Sequence, residues 1–279
     1  MKEVRKVPPE HKHKRSFMMI RILSWNVNGL RAALKNGLEE SLKQIDPDII
    51  GFQEIKATQE QVESDYPGAF AGYQSVWNPA GRKGYSGTLL LTKLNPSSVK
   101  KGLGISEFDS EGRVIISKFE NVPGGRPFTL FNIYYPNGQA DSDRLDYKLR
   151  FYDSFLEYAD KLKNSGENLV IMGDFNTAHR DIDLKNPREN EDRSGFLPIE
   201  KEWIDKFIGH GYIDTFRAKN PDMEKYSWWT YRFGARRRNI GWRIDYVFVN
   251  ESFFNSVLDS FILNDVEGSD HCPVGITLR

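Results

Sequence analysis

Residues 20–25, IRILSW, form a short apolar run that stops at the turn-prone Asn26-Val27-Asn28-Gly29, so the pattern predicts a buried strand followed by a loop. The period then changes. Leu30, Ala33, Leu34, Leu38, Leu42 and Ile45 recur at helical spacing until Pro47, which predicts one amphipathic helix over 30–45. Ile49, Ile50 and Phe52 make a second buried strand ending at Gln53-Glu54. Further strands are expected at 73–77, 88–91, 114–119, 128–135, 169–172, 244–249, 258–263 and 273–278. Helices are expected at 144–163, where Leu145, Leu149, Tyr152, Phe155, Leu156 and Ala159 share a face, and at 200–208. Strands outnumber helices, and no G-x-G-x-x-G follows any strand. The expectation is a mixed, sandwich-like α/β arrangement and not a dinucleotide-binding sheet.

Composition narrows the class. A chain of 279 residues with 39% hydrophobic and 13% aromatic content can build a sizeable core and carries too many rings for wholesale disorder. No linker-like tract or repeat interrupts 19–279, which reads as a single domain. Residues 1–18 hold six Lys/Arg against two Glu and read as a disordered basic tail, with a nucleic-acid-binding arm as the sharper alternative. They lack the apolar segment of a secretory signal. The whole chain has 39 basic and 39 acidic residues, so binding to nucleic acid cannot rest on global charge. The lone Cys272 excludes an internal disulfide and clustered thiolate sites, which points to a reducing compartment such as the cytoplasm. No run is long and apolar enough to span a membrane.

Candidate chemistry collects at strand ends, where sites in α/β proteins sit. Glu54 closes one apolar strand. In LVIMGDFN (169–176), buried-type residues deliver Asp174 and Asn176, two positions apart, to one side if strand geometry continues. Gly268-Ser269-Asp270-His271 precedes the final strand. Glu54, Asp174, Asn176 and Asp270, with the carbonyl oxygen of Asn26, form an oxygen-rich set suited to Mg²⁺, with Mn²⁺ as a substitute, and too poor in His and Cys for zinc. Metal-assisted phosphoester hydrolysis is the chemistry implied. Separately, residues 231–243, YRFGARRRNIGWR, carry five Arg and no acid beside Trp228, Trp229 and Trp242, a composition suited to phosphates and exposed bases. Arg236 and Arg237 are expected to contribute phosphate contacts. The segment Arg82-Lys83-Gly84-Tyr85-Ser86-Gly87 offers a second patch.

Taken together, SWNVNGLRA, PDIIGFQEIK, RKGYSG, NIYYPNG, GDFNTAHRDID, SGFLPIEKEWID, NIGWRIDY and GSDHCP resemble the exonuclease III family of abasic-site endonucleases, within the deoxyribonuclease-I-like superfamily. The motifs span nearly the whole chain after the tail. The resemblance implies a four-layer α/β sandwich of two face-to-face sheets under outer helices. It makes Glu54 the principal Mg²⁺ ligand, with Asn26, Asp270, Asp174 and Asn176 near the ion. Tyr134 becomes the active-site phenol, acting as phenolate or as donor, Asp174 the water-activating base, and Asp245 the partner of His271, which faces the scissile phosphate. Trp228, Trp242 and Ile244 become the pocket for a flipped abasic sugar, with Arg31, Lys83, Tyr85, Asn137 and Arg232 along the DNA path.

The implied reaction is hydrolysis of DNA 5′ to an abasic site, leaving a 3′-hydroxyl and a 5′-deoxyribose phosphate, with 3′–5′ exonuclease and 3′-end cleaning activity. The implied partner is double-stranded DNA with abasic or blocked 3′ ends, met by a monomer in the cytoplasm or a nucleus. Two rival readings are a DNA-binding module with a silent hydrolytic site and a phosphatase of small phosphoesters.

Overall fold

The computed structural model describes residues 19–138 and 142–279, so the basic tail lies outside the described residues. Among these, the strands are β1 (Ile20–Asn26), β2 (Ile49–Gln53), β3 (Gln74–Asn78), β4 (Thr88–Thr92), β5 (Ser98–Lys101), β6 (Val114–Phe119), β7 (Phe128–Tyr134), β8 (Leu169–Asp174), β9 (Tyr212–Asp214), β10 (Asp245–Asn250), β11 (Val257–Ile262) and β12 (Val274–Leu278). They build two six-stranded sheets, in the orders β11-β12-β1-β2-β4-β3 and β5-β6-β7-β8-β10-β9. Each sheet contains one parallel pair, β1 with β2 and β7 with β8, flanked by antiparallel neighbours.

Helices Leu30–Lys35 and Leu38–Ile45 pack on the outer face of the first sheet, burying Leu30, Leu34, Leu38 and Leu42 against Leu23, Trp25, Ile50 and Phe52. Helices Ser142–Asn164 and Pro198–Gly209 cover the second sheet through Phe151, Phe155, Ile204 and Phe207. This is the four-layer α/β sandwich expected. The single helix expected over 30–45 is two helices, because Asn36-Gly37 interrupts it: Gly37 takes φ 92°, a left-handed conformation that ends a helical turn. Both pieces keep their apolar faces on the sheet. The edge strands β5 and β9 were not predicted. The first is exposed throughout, with no alternation to read, and the second has only three residues.

The two sheets face each other across a core that changes character along its length. On β1 the inward positions read Ile20, Ile22, Ser24, Asn26; on β7 they read Phe128, Leu130, Asn132, Tyr134; on β8 Val170, Met172, Asp174. One end is therefore hydrocarbon and the other polar. At the transition Gln53 Nε2 donates to Asn132 Oδ1 (2.6 Å) and Ser24 Oγ (2.9 Å), while Asn132 Nδ2 donates to the carbonyls of Phe52 and Leu89 in the opposite sheet. Gly51 makes room for this lock: a Cβ there would lie 2.5 Å from Asn132 Cγ and 2.6 Å from Met172 Cε. Gly51→Ala is expected to lower stability by about 1–3 kcal/mol through overpacking. An unchanged urea midpoint would mean that the sheets part freely at this level.

Candidate active site

The polar end of the core is where the chemistry gathers, and topology explains why. Parallel strands β1 and β2 end side by side with Asn26 opposite Gln53, as β7 and β8 end with Tyr134 opposite Asp174. Antiparallel β10 begins at this edge, Asp245 opposite Asp174, and the approach to β12 brings Asp270 and His271 to it. Six segments far apart in sequence thus meet at one edge.

There His271 Nδ1 lies 2.8 Å from Asp245 Oδ2, which also accepts from Ser227 Oγ at 2.6 Å. His271 Nε2 points towards Asp174 Oδ2 at 4.0 Å. Asn26 Nδ2 donates to Asp174 Oδ2 (2.8 Å) and Glu54 Oε2 (3.2 Å), and Asn26 Oδ1 accepts from the Asn28 N–H (2.9 Å). Asn28 Nδ2 donates to Asp270 Oδ1 at 3.1 Å. Lys56 Nζ reaches Asn28 Oδ1 (2.6 Å) and Glu54 Oε1 (3.0 Å). Asp174 and Asn176 do meet, but not by strand alternation. The strand ends at Asp174, Asn176 turns left-handed at φ 51°, and its N–H donates back to Asp174 Oδ1 at 2.8 Å. Asn28, Glu54 and Lys56 also have positive φ (44°, 55° and 53°), a concentration of backbone strain typical of functional sites.

Burial and the charge of Asp245 push the Asp174 carboxyl up to about 7. Burial alone would discharge His271, but Asp245, with Asp174 and Asp270 behind it, outweighs that and raises the imidazole to about 10. The ring stands between the Asp245 and Asp174 carboxyl groups, bonded to the first and facing the second. Burial, reinforced by Glu54, keeps the Tyr134 phenol well above its ordinary range, despite the Arg113 guanidinium 4.8 Å from the ring centroid. Asp174, Asp245 and His271 offer ligand atoms within 4.8 Å of one another and could hold a metal ion. His271 is itself bonded to Asp245, so the carboxylates that face the cavity beside Asp174 are Glu54, paired with Lys56, and Asp270, bonded by Asn28 and Trp228.

A cavity of about 460 Å³ opens over these groups. It is lined by ten of the expected residues: Glu54, Tyr134, Asn137, Asp174, Asn176, Trp228, Trp242, Ile244, Asp270 and His271. The two indoles stand edge to face, centroids 6.3 Å apart, and Trp228 Nε1 donates to Asp270 Oδ2 at 3.1 Å, tying the aromatic wall to the acidic one. Asn26 and Asp245 lie behind this lining, fully buried.

Other expected residues sit elsewhere. Arg31 is bound to Asp65 at 2.6 Å, Lys83 and Arg232 are exposed beyond the cavity, and the Tyr85 phenol accepts from Arg113 (3.1 Å) and Arg144 (2.8 Å). Arg236 needs correction as a phosphate contact: its guanidinium donates to the carbonyls of Asn264, Val266 and Ser269 and so braces the loop before Asp270. Lys56, Arg113 and the wall formed by Arg193, Ser194 and Gly195 were missed. Lys56, two positions past Glu54, was the legible one, since a cation that close to a strand-end carboxylate can neutralise it.

The chain matches the model of the endonuclease/exonuclease/phosphatase family over residues 23–271. It is 43% identical over 262 residues to an exodeoxyribonuclease of Bacillus subtilis (strain 168), covering 93% of this chain and all of that one. The AP endonuclease LMAP of Leishmania major superposes with a TM-score of 0.85 at 30% identity, over 94% of this chain and 88% of that one. A 3′ phosphatase from Neisseria, solved bound to a product DNA hairpin, superposes with a TM-score of 0.82 at 28% identity, over 93% and 99% of the two chains. With the strand-end carboxylates, the Asp245–His271 pair and the indole-walled cavity, these similarities show that the chain belongs to the endonuclease/exonuclease/phosphatase family, in its exonuclease III-type branch of abasic-site endonucleases.

Proposed function

We propose that this enzyme hydrolyses the DNA phosphodiester 5′ to an abasic site, leaving a 3′-hydroxyl and a 5′-deoxyribose phosphate, and trims blocked 3′ ends with the same groups. The observation that carries this reading is the single cavity in which acidic oxygens, an imidazolium and two indoles meet. Asp174, with its raised affinity for a proton, takes one from water near neutral pH. His271 Nε2 donates to a non-bridging oxygen of the phosphate, joined by Asn176 when its Nδ2 gives up the longer of its two bonds, that to Asp174 at 3.3 Å, and Asp245 fixes the imidazole through Nδ1. Tyr134, kept neutral by burial, serves as a donor and not as a phenolate. Trp228, Trp242 and Ile244 receive the sugar that lacks a base, a fit that rejects an intact nucleotide by size.

The donor set suits a hard divalent cation: Glu54 and Asp270 present carboxylate oxygens to the cavity, the one histidine there is already paired, and the Cys272 thiol is buried against the Tyr226 carbonyl. Mg²⁺, with Mn²⁺ as a substitute, would be held by Glu54 and Asp270, with Asp174 and Asn176 beside them and Asn26 orienting Glu54 and Asp174 through its amide nitrogen. Such an ion supplies Lewis acidity to the phosphoryl group. Excess EDTA is expected to abolish cleavage and added Mg²⁺ to restore it; cutting undiminished in EDTA would reject the metal.

The functional test is incision of matched duplexes that are abasic, 3′-phosphorylated at a nick, uracil-containing or intact. Cleavage of the first two in preference to the intact duplex is expected. Faster turnover of soluble inositol phosphates than of abasic DNA would favour the small-phosphoester phosphatase.

A further inference from the structure

Lys148 and Glu200 are both fully buried, and their contacts reach the cavity walls from behind. Lys148, on helix Ser142–Asn164, uses its ammonium on Asn176 O (2.8 Å), Thr177 Oγ1 (2.8 Å) and Glu200 Oε1 (2.6 Å). Glu200, in the first turn of helix Pro198–Gly209, accepts at Oε2 from the N–H groups of Gly195 (2.6 Å) and Leu197 (3.1 Å). Ser194 Oγ adds a longer contact to Oε1 at 3.4 Å. The loop after Tyr134 closes on the same place: a Cβ on Gly138 would lie 2.7 Å from Ser194 Oγ and 3.3 Å from Glu200 Oε1. A Cβ on Gly195 would be 3.2 Å from both Asn176 O and the Trp242 ring. Two segments that line the cavity therefore rest on one buried ion pair, and a third packs closely against it.

Stability alone is a poor reason for such a pair, since desolvating two charges offsets much of their attraction and apolar replacements often do as well. What an apolar pair cannot supply is direction. Lys148 holds the carbonyl of the left-handed Asn176, and Glu200 holds the turn that sets the distance between Asn176 and Trp242.

We propose that Lys148 and Glu200 are positioning residues of the reaction, holding Asn176 against the phosphate and the 194–197 turn against the sugar pocket. The proposal rests on the functional reading above for what is being positioned. The pair touches no substrate, so its loss acts on the geometry of the bound state and leaves the exposed phosphate contacts as they are.

The test is the uncharged variant Lys148→Met/Glu200→Met, similar in length but without donor or acceptor at either position, followed by incision kinetics on an abasic duplex, thermal unfolding and amide hydrogen exchange. Expected are a fall in kcat of at least about tenfold with KM within about twofold, since displacements near an ångström cost rates of that order. Faster exchange at Gly195 and Leu197 should accompany it, and a variant still folded at the assay temperature is required. The single variant Lys148→Arg, which keeps a donor, should recover part of kcat. An unchanged kcat in the folded double variant would overturn the proposal, as would unchanged exchange at both amides. The exchange measurement needs no substrate, and wild-type incision is run in parallel, so failure of the positioning claim is distinguishable from failure of the functional reading.

Discussion

Asp174→Asn lowers the single-turnover rate of abasic-duplex incision by about 10²- to 10⁴-fold, the range spanned by a lost general base. The replacement keeps the shape of the side chain but removes the proton acceptor, and it turns an amide towards Asn26 Nδ2, which now donates to the carboxylate. It also leaves the His271 cation with Asp245 as its near partner. DNA affinity should hold or rise, because one negative charge leaves the neighbourhood of a phosphate. A rate within tenfold of wild type would assign water activation to another group. A wild-type protein that binds the abasic duplex but leaves it uncut in Mg²⁺ would instead revive the reading of a DNA-binding module whose acidic edge is ornamental.

The second large effect concerns stability. Asp183 is buried, and its Oδ1 accepts from Arg243 Nε (2.8 Å) and Arg217 Nη2 (2.6 Å); Arg243 Nη2 lies 2.7 Å from Asp214 Oδ2. Asp183→Asn strips the buried Arg243 and the partly buried Arg217 of a shared counter-charge, and unfolding free energy should fall by about 3–5 kcal/mol. Arg243 stands between Trp242 and Ile244, so the sugar pocket loosens with it. The pH dependence follows from the sign of the shift. Burial alone would raise the Asp183 carboxyl, but Arg243 and Arg217 outweigh burial and bring it down to about 2. A carboxylate depressed in the folded state stabilises fully above its unfolded value near 4 and loses that contribution as pH falls through its folded value. About 2 kcal/mol of the wild-type advantage over Asp183→Asn should therefore disappear between about pH 4 and pH 2. An advantage that stays constant across that window in denaturant titrations would show that the charge of Asp183 is immaterial.

Much of this molecule was legible before its coordinates, for reasons that differ by element. Strands such as LVIMGD announced themselves because both faces are buried and a polar residue marks the end. The 30–45 helix was read through its apolar stripe, and the stripe is continuous across Asn36-Gly37 although the backbone is not. Strand β5 had no burial pattern to read, and β9 is too short at three residues for its pattern to register. In the site, residues carrying oxygen at strand ends were visible singly; their convergence came from motif resemblance, since spacing cannot tell which strands neighbour each other. Lys148 shows what was overlooked. It falls on the same helical face as Leu145, Leu149 and Tyr152, and a cation inside an apolar stripe signals a buried partner. That partner, Glu200, lies 52 residues on, a separation no local pattern spans. Arg236 departs in the opposite sense, a cation in a basic run whose guanidinium turns onto three carbonyls of its own chain.

The pairing of β1 with β12 sets a schedule for the nascent chain. β1 is the earliest of the described strands to leave the ribosome and cannot complete its hydrogen bonds on that side until β12, the last described strand, has been made. Asp270 and His271 emerge just ahead of it. Such distant pairing slows folding, and it also means that the edge cannot assemble until residues 270–278 have been made, so a chain short of them is unarmed.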